Sequence, residues 1–165
     1  MEKISEHPDL LLFFDVCSKI EKLCAELYHY YSELFIENEE GSRLWKKTAL
    51  DEENHQKMFE LANRLRKDCE FELIADIERA YRVYNRLSAF VSHVREFPPD
   101  IVQALTNAIE MEEAIDDLHV ESSVKFKEQQ TMIMFKALRG DDREHIKALR
   151  NFLAVLTLPL TEMTE

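Results

Sequence analysis

The chain has very few residues that interrupt helices, since only 2 Gly and 4 Pro occur among its 165 residues. The remaining sequence is rich in Leu, Ala, Glu, Lys and Arg, which favour helix over sheet or loop. Nothing in the chain reads as a strand or as a low-complexity segment. A chain of this length forms one domain of ordinary size. We therefore expect a single all-α domain that covers residues 1–165.

Cysteine is also scarce, and the 3 cysteines, Cys17, Cys24 and Cys69, form no C-x-x-C motif. Their number and spacing argue against a disulfide framework and against a cysteine-ligated zinc or rubredoxin-type iron site. On one helix Cys17 and Cys24 would lie about 10.5 Å apart, beyond the roughly 7 Å at which two Cα atoms can be bridged. We interpret these two cysteines as small apolar residues of the core, with a redox or soft-ligand role as the alternative.

Basic residues are too few to balance the acidic ones, with 21 Lys and Arg against 33 Asp and Glu and a net charge of -12. Nucleic acids and anionic lipid surfaces require a basic surplus, so we expect neither as a partner. No apolar run approaches the roughly 18 residues that span a bilayer. The N-terminus lacks the features of a signal peptide, and we expect a cytoplasmic protein.

Apolar residues recur at helical spacing in five segments of the chain. The turn "ENEEGS" separates the first two segments, with Ser42 expected to cap the second, and "FPPD" follows the third. The pattern predicts two helical hairpins, about 9–67 and 100–156, joined by a connecting helix at about 73–96. The four helices of the hairpins are expected at about 9–36, 43–67, 100–127 and 131–156.

The two hairpins contain an internal repeat. The segment "IEKLCAELY" (20–28) aligns with "MEEAIDDLH" (111–119), and "LDEENH" (50–55) aligns with "GDDREH" (140–145). The separation between the acidic positions of the two segments is 31 residues in the first copy and 30 in the second. The aligned positions are Glu21 with Glu112, Tyr28 with His119, Glu52 with Asp142, and His55 with His145.

Each of the four hairpin helices carries a carboxylate on a stripe that is otherwise largely apolar. Burying four unpaired carboxylates would cost several kcal/mol each, so a buried cluster needs cations to neutralise it. In two antiparallel hairpins these groups would lie at about one level of the bundle. Four carboxylates and two imidazoles in a four-helix bundle are the ligands of a dimetal site, which suits iron or manganese. The predicted ligands are Glu21, Glu52, His55, Glu112, Asp142 and His145.

At these motifs the chain resembles the rubrerythrin branch of the ferritin-like superfamily, in "IEKLCAELYHYY" and "DEENH" and again in "EMEEAIDDLH" and "DDREH". The resemblance implies a ferritin-like four-helix bundle with two iron ions, although manganese or zinc would also suit the ligands. It implies that ferrous iron reduces hydrogen peroxide or dioxygen, in oxidative-stress defence or iron handling. Glu52 and Asp142 would bridge or flank the two irons. Tyr28 is expected to bond a ligand carboxylate, or else to be simply a core residue.

The chain departs from the rubrerythrin pattern in ways that affect these expectations. It has no rubredoxin-type cysteine site, so electrons would come from a separate donor protein. Asp142 stands where glutamate is usual, and His119 stands where tyrosine is expected. His119 could be an extra ligand, a partner that orients a ligand, or a core histidine. The further glutamate of rubrerythrins is replaced by Ile115, which leaves Glu113 as an alternative to Glu112 for the helix-three ligand.

Two other functions remain open at this point. A ferritin-like ferroxidase or iron-binding protein would use the same ligands. A non-enzymatic helical bundle with a degenerate metal site would account for the departures at Asp142 and His119. Helical bundles of this kind commonly associate, and we expect a homodimer.

Overall fold

A computed structural model describes residues 8–65, 71–73, 77–121, 124–126 and 129–158. The described residues form five helices and two three-residue strands, so the prediction of an all-α fold is confirmed apart from this small sheet. The helices are α1 (Pro8–Leu34), α2 (Glu39–Leu65), α3 (Ile77–Glu96), α4 (Ile101–Glu121) and α5 (Gln129–Thr157). The strands are β1 (Phe71–Leu73) and β2 (Val124–Phe126).

The start of α2 differs from the prediction because Asn38, not Ser42, caps the helix. The side-chain Oδ1 of Asn38 accepts a hydrogen bond from the backbone N–H of Gly41 at 2.8 Å, the arrangement of an N-cap. The backbone N–H of Ser42 donates to the Asn38 carbonyl at 2.8 Å and is already inside the helix. The Ser42 hydroxyl donates instead to the Ser32 carbonyl at 2.8 Å, which ties the end of α1 to the start of α2.

The strands β1 and β2 pair antiparallel, with Phe71 opposite Phe126 and Leu73 opposite Val124. The sequence predicts helix at 73 and through 127, and these helix ends are wrong because α3 begins at Ile77 and α4 ends at Glu121. Aromatic and β-branched residues favour strands. Their pairing here joins segments about fifty positions apart, which local periodicity cannot detect.

The helices pack into a bundle in which α1 contacts α2 and α3, α4 contacts α5, α2 contacts α5, and α3 contacts α4. Two layers of aromatic side chains lie inside it. In the Trp45 layer, Trp45 stacks on Tyr28 with ring centroids 5.5 Å apart and contacts Tyr31 at 5.0 Å. None of the described helices has both the length and the apolarity to cross a membrane.

The second aromatic layer, the Phe59 layer, consists of Phe14, Phe59 and Phe135, whose ring centroids are 5.9–6.2 Å apart. On α2, Glu52 lies seven residues from both Trp45 and Phe59. Seven helical residues correspond to two turns, or about 10.5 Å. Glu52 is therefore placed midway between two aromatic layers that separate it from solvent along the bundle axis.

Candidate metal centre

Seven acidic and histidine side chains are buried between the two aromatic layers. Each is at most 7% exposed, although acidic residues are rarely buried unless they are paired. They come from α1, α2, α4 and α5, so the prediction that each hairpin helix turns a carboxylate inward is confirmed. The set contains all six predicted ligands and one further histidine: Glu21, Glu52, His55, Glu112, His119, Asp142 and His145.

Glu52 occupies the centre of this cluster. Its Oε2 lies 3.0 Å from His55 Nδ1, and its Oε1 lies 2.9 Å from His145 Nδ1. Two groups of three residues share Glu52, and within each group one ligand atom per residue lies within 4.8 Å of the others. The groups are Glu21, Glu52 and His55, and Glu52, Glu112 and His145. Glu52 thus lies where a carboxylate could bridge two cations.

Many nitrogen and oxygen atoms of the cluster have no hydrogen-bond partner among the described residues. They are both oxygens of Glu21, Oε1 of Glu52, Oδ1 of Asp142, Nδ1 of His145 and Nε2 of His119. His145 Nδ1 and Glu52 Oε1 are 2.9 Å apart but are not aligned as donor and acceptor. A buried polar atom without a partner costs about 1–3 kcal/mol. Two divalent cations would satisfy these atoms, and the oxygen and imidazole donors fit iron, manganese or zinc.

The two central histidines are each oriented by an aspartate from the other hairpin. His55 Nε2 lies 3.3 Å from Asp141 Oδ2, and His145 Nε2 lies 3.2 Å from Asp51 Oδ2. When Nε2–H donates to the aspartate, Nδ1 keeps a lone pair that faces the cluster. The sequence reasoning missed both aspartates. The repeat contained the signal, because Asp51 and Asp141 occupy the same position directly before Glu52 and Asp142.

The structure decides between Glu112 and Glu113 as the helix-three carboxylate. The Tyr28 hydroxyl donates a hydrogen bond to Oε1 of Glu112, so the predicted contact between Tyr28 and a ligand carboxylate is confirmed. Glu113 lies on the outside of α4 with its side chain 42% exposed, where it pairs with Arg150. The alternative based on Glu113 is wrong, because one residue along a helix turns the side chain by about 100° and away from the cluster.

His119 and Asp142, which come from the two helices of the second hairpin, contact each other. His119 Nδ1 lies 3.0 Å from Asp142 Oδ2, and His119 Nε2 lies 3.5 Å from Glu21 Oε1. The other carboxylate oxygen of Asp142, Oδ1, lies 3.7 Å from His55 Nδ1. Glu52 approaches both central histidines, whereas these contacts of Asp142 are with His55 and His119. The resemblance allows Asp142 to bridge or to flank the irons, and that role stays a prediction; the structure shows Asp142 beside His55 and His119.

The pKa shifts within the cluster show that its buried carboxylates favour a positive charge close to them. Burial raises the pKa of Glu21, and the nearby charge of Glu52 raises it further. Burial would raise the pKa of Glu52 too, but the close nitrogens of His145 and His55 outweigh burial and hold it well below its usual value. Burial would lower the pKa of His55, yet its contacts with Glu21 and Glu52 raise it to about 12. The raised pKa of His55 favours an imidazolium in the metal-free protein, whose positive charge offsets part of the buried carboxylate charge.

The two cysteines of α1 are buried beside the cluster and are not oxidised to a disulfide. Burial raises the pKa of the Cys17 thiol and of the Cys24 thiol, and the acidic neighbours raise both further. Both thiols are therefore protonated, as expected for core residues. Cys69 lies outside the described residues.

Comparison with known proteins adds no relative: no protein-family model matches the chain, and no curated protein or solved structure is detectably similar to it.

Proposed function

We propose that this chain is a rubrerythrin-like diiron protein of the ferritin-like kind, which reduces hydrogen peroxide or dioxygen. One observation carries the proposal: Glu52 is shared by two buried groups of ligand residues, and both groups contain atoms that have no partner in the described structure. A carboxylate shared by two such groups is what a two-metal site requires. In this proposal α1 with α2 and α4 with α5 are the two hairpins of the ferritin-like bundle, and α3 connects them.

Each of the two groups of residues would hold one ion. Glu21, Glu52 and His55 would hold one ion, and Glu52, Glu112 and His145 the other. When bound, the two ferrous ions supply two electrons, which hydrogen peroxide takes up with two protons as it is reduced to two water molecules.

The protein surroundings would position the ligands and exclude water. Asp51 and Asp141 hold the imidazole protons on Nε2 and so keep Nδ1 available to the ions. The Tyr28 hydroxyl fixes the orientation of Glu112. The Trp45 and Phe59 layers close the cluster along the bundle axis and keep bulk water away from the reacting oxygen atoms. Electrons would come from a separate donor protein.

The first test is the metal content per chain after anaerobic reconstitution with ferrous iron, followed by optical spectra upon addition of one equivalent of peroxide. We expect two irons per chain and new near-ultraviolet absorption as the iron is oxidised. Retention of no iron, manganese or zinc would contradict the proposal and favour the non-enzymatic bundle. Metal that raises the melting temperature without any response to oxidant would make the site structural.

Two neighbouring glutamates provide a matched control for this test. Glu112→Gln removes a buried carboxylate charge from the cluster and should lower the iron content from two to about one per chain. Glu113→Gln changes the same residue type one position later, on the outside of α4, and should leave the iron content unchanged. Equal iron content in the two variants would show that iron binds elsewhere.

Kinetic measurements can identify the oxidant, and a measurement of molecular size can identify the oligomeric state. Rapid stoichiometric oxidation by peroxide with slow oxidation by air would support peroxide reduction. Sustained oxidation of added ferrous iron with formation of a ferric core would support the ferroxidase alternative. Ferritin-type storage also needs a shell of many subunits, whereas we propose a homodimer, which size-exclusion chromatography would distinguish.

A further inference from the structure

The internal repeat allows the two sides of the cluster to be compared position by position. We call Glu21, His55, His119 and Asp142 the His55 half, and Glu112, His145 and Tyr28 the His145 half, with Glu52 shared between them. If the two copies of the repeat were identical, the two halves would offer the same groups and bind ions with equal affinity. They differ at two aligned positions, where His119 replaces a tyrosine and Asp142 replaces a glutamate.

The first difference, His119 in place of a tyrosine, changes which side chain lies beside the carboxylate of the first helix in the opposite hairpin. In the His145 half, the hydroxyl of Tyr28 donates a hydrogen bond to Glu112 Oε1 and so occupies that oxygen. In the His55 half, the aligned contact is between His119 Nε2 and Glu21 Oε1 at 3.5 Å, without a hydrogen bond. Both oxygens of Glu21 therefore remain available to an ion.

The hydrogen bond at the other ring nitrogen makes His119 a potential ligand. With Nδ1–H donating to Asp142 Oδ2 at 3.0 Å, the lone pair of His119 lies on Nε2, which is buried and has no partner in the described residues. Ligands held about 2.1 Å from one ion lie roughly 3.0–4.2 Å from each other. The 3.5 Å between His119 Nε2 and Glu21 Oε1 falls in this range.

The second difference, Asp142 in place of a glutamate, also adds a group that could bind an ion in the His55 half. The contacts of Asp142 are with His119, through Oδ2, and with His55, at 3.7 Å from Oδ1. Its Oδ1 has no hydrogen-bond partner and is free to bind an ion near His55. In the His55 half, the group of Glu21, Glu52 and His55 therefore has two further polar side chains beside it, His119 next to Glu21 and Asp142 next to His55. In the His145 half, the corresponding group is Glu52, Glu112 and His145, with the hydroxyl of Tyr28 beside Glu112.

We propose that His119 is a metal ligand through Nε2 and that it makes the two metal positions unequal. The first divalent ion binds tightly in the His55 half, with imidazoles from both His55 and His119. The second binds more weakly in the His145 half, which keeps more coordination positions open for a small-molecule ligand. This inference rests on the proposed function in requiring that the cluster bind two ions.

Anaerobic titration of the metal-free protein with Co²⁺, monitored by the visible absorption of the bound ion, tests whether the two metal positions differ in affinity. We expect two separate binding steps in the unmodified protein. His119→Tyr introduces the residue of the other repeat and should weaken the first step by at least about 10–100-fold, the range for the loss of a group that only orients a ligand. Tyr28→Phe, the matched change in the other half, should leave the first step unchanged and alter only the second.

A second measurement on the same Co²⁺ protein counts the imidazoles directly. At one equivalent of Co²⁺, proton NMR should show two exchangeable imidazole N–H resonances with paramagnetic shifts, from His55 and His119. His119→Tyr should retain one, and His119→Gln provides the same comparison if the tyrosine is not accommodated. A single shifted N–H in the unmodified protein would overturn the inference without any variant.

The outcomes separate this inference from the proposed function. If Co²⁺ does not bind in the cluster, both fail. If two Co²⁺ ions bind with equal affinity, or if His119→Tyr leaves the first step unchanged, the cluster is a dimetal site and only the inequality is overturned.

Discussion

The two hairpins carry aligned ligand motifs, but they use them differently. In the first hairpin Glu52 extends to both central histidines, at 3.0 and 2.9 Å. In the second hairpin the aligned Asp142, one methylene shorter, contacts His55 and His119. Equal spacing along two helices therefore does not give equal contacts: Glu52 approaches both central histidines, whereas Asp142 approaches His55 and His119.

We expect the largest difference between the two hairpins when each of the two aligned carboxylates is neutralised in turn. Glu52→Gln removes the charge that both groups share, and we expect it to abolish the binding of both metal ions. Asp142→Asn should weaken only the ion near His55 and leave about one metal per chain. Metal content by elemental analysis, with helical circular dichroism as the control for folding, measures the difference. Equal losses would mean that the two carboxylates are equivalent.

The pH dependence of stability tests whether a histidine of each hairpin, His55 and His145, is positively charged in the metal-free protein. Contacts with carboxylates outweigh burial and raise the pKa of His55 to about 12, and that of His145 also rises. Their stabilisation of the metal-free fold is complete below the unfolded pKa, about 6.5, and is lost as the pH rises toward the folded values. The raised pKa of Glu21 and of Glu112 acts in the same direction above about 4.5.

We therefore expect the melting temperature of the metal-free protein to fall between pH 6.5 and pH 9. Metal ions replace these protons, so the stabilisation by added Co²⁺ should be larger at pH 8 than at pH 6.5. Thermal melts with chelator and with Co²⁺ at each pH measure both effects. A melting temperature of the metal-free protein that rises over this range would show that the buried histidines are neutral.

The aspartates that orient the histidines provide a finer comparison. Asp51→Asn and Asp141→Asn should each weaken metal binding, within the 10–100-fold range usual for such partners. The side chain of Asp51 is 32% exposed and that of Asp141 is 59% exposed, so we expect the larger effect for Asp51. Titration with Co²⁺ measures both, and a larger effect for Asp141 would contradict the role of burial.

The smallest expected effects concern the two glycines, one in each hairpin. A Cβ at Gly140 would meet nothing within 4 Å, so Gly140→Ala should stabilise the fold by about 0.5–1 kcal/mol. A Cβ at Gly41 would lie 3.1 Å from a ring carbon of Phe152 and 3.2 Å from Ile101 Cδ1. Gly41→Ala should therefore destabilise the fold by about 1 kcal/mol or more. Urea denaturation measures both, and the same sign for both would contradict this packing difference.

Periodicity along single helices predicted much of the fold and most of the cluster. Glu21, Glu52 and Glu112 could be assigned to the interior because each lies on a stripe of apolar neighbours. The N-cap of α2 was missed because Asn38 and Ser42 are both good capping residues. The pairing of β1 with β2 was missed because it depends on a contact between distant segments.

The sequence by itself determined which helix faces are buried, and the repeat determined that two matched sets of carboxylates and imidazoles lie on those faces. Both follow from helical geometry, which is local and repeats every 3.6 residues. Only the tertiary structure decided that Glu52 is shared, that Glu113 lies outside, and that Asp51 and Asp141 orient histidines of the opposite hairpin. These features depend on how the packed helices are rotated against one another, a relation that no single helix encodes.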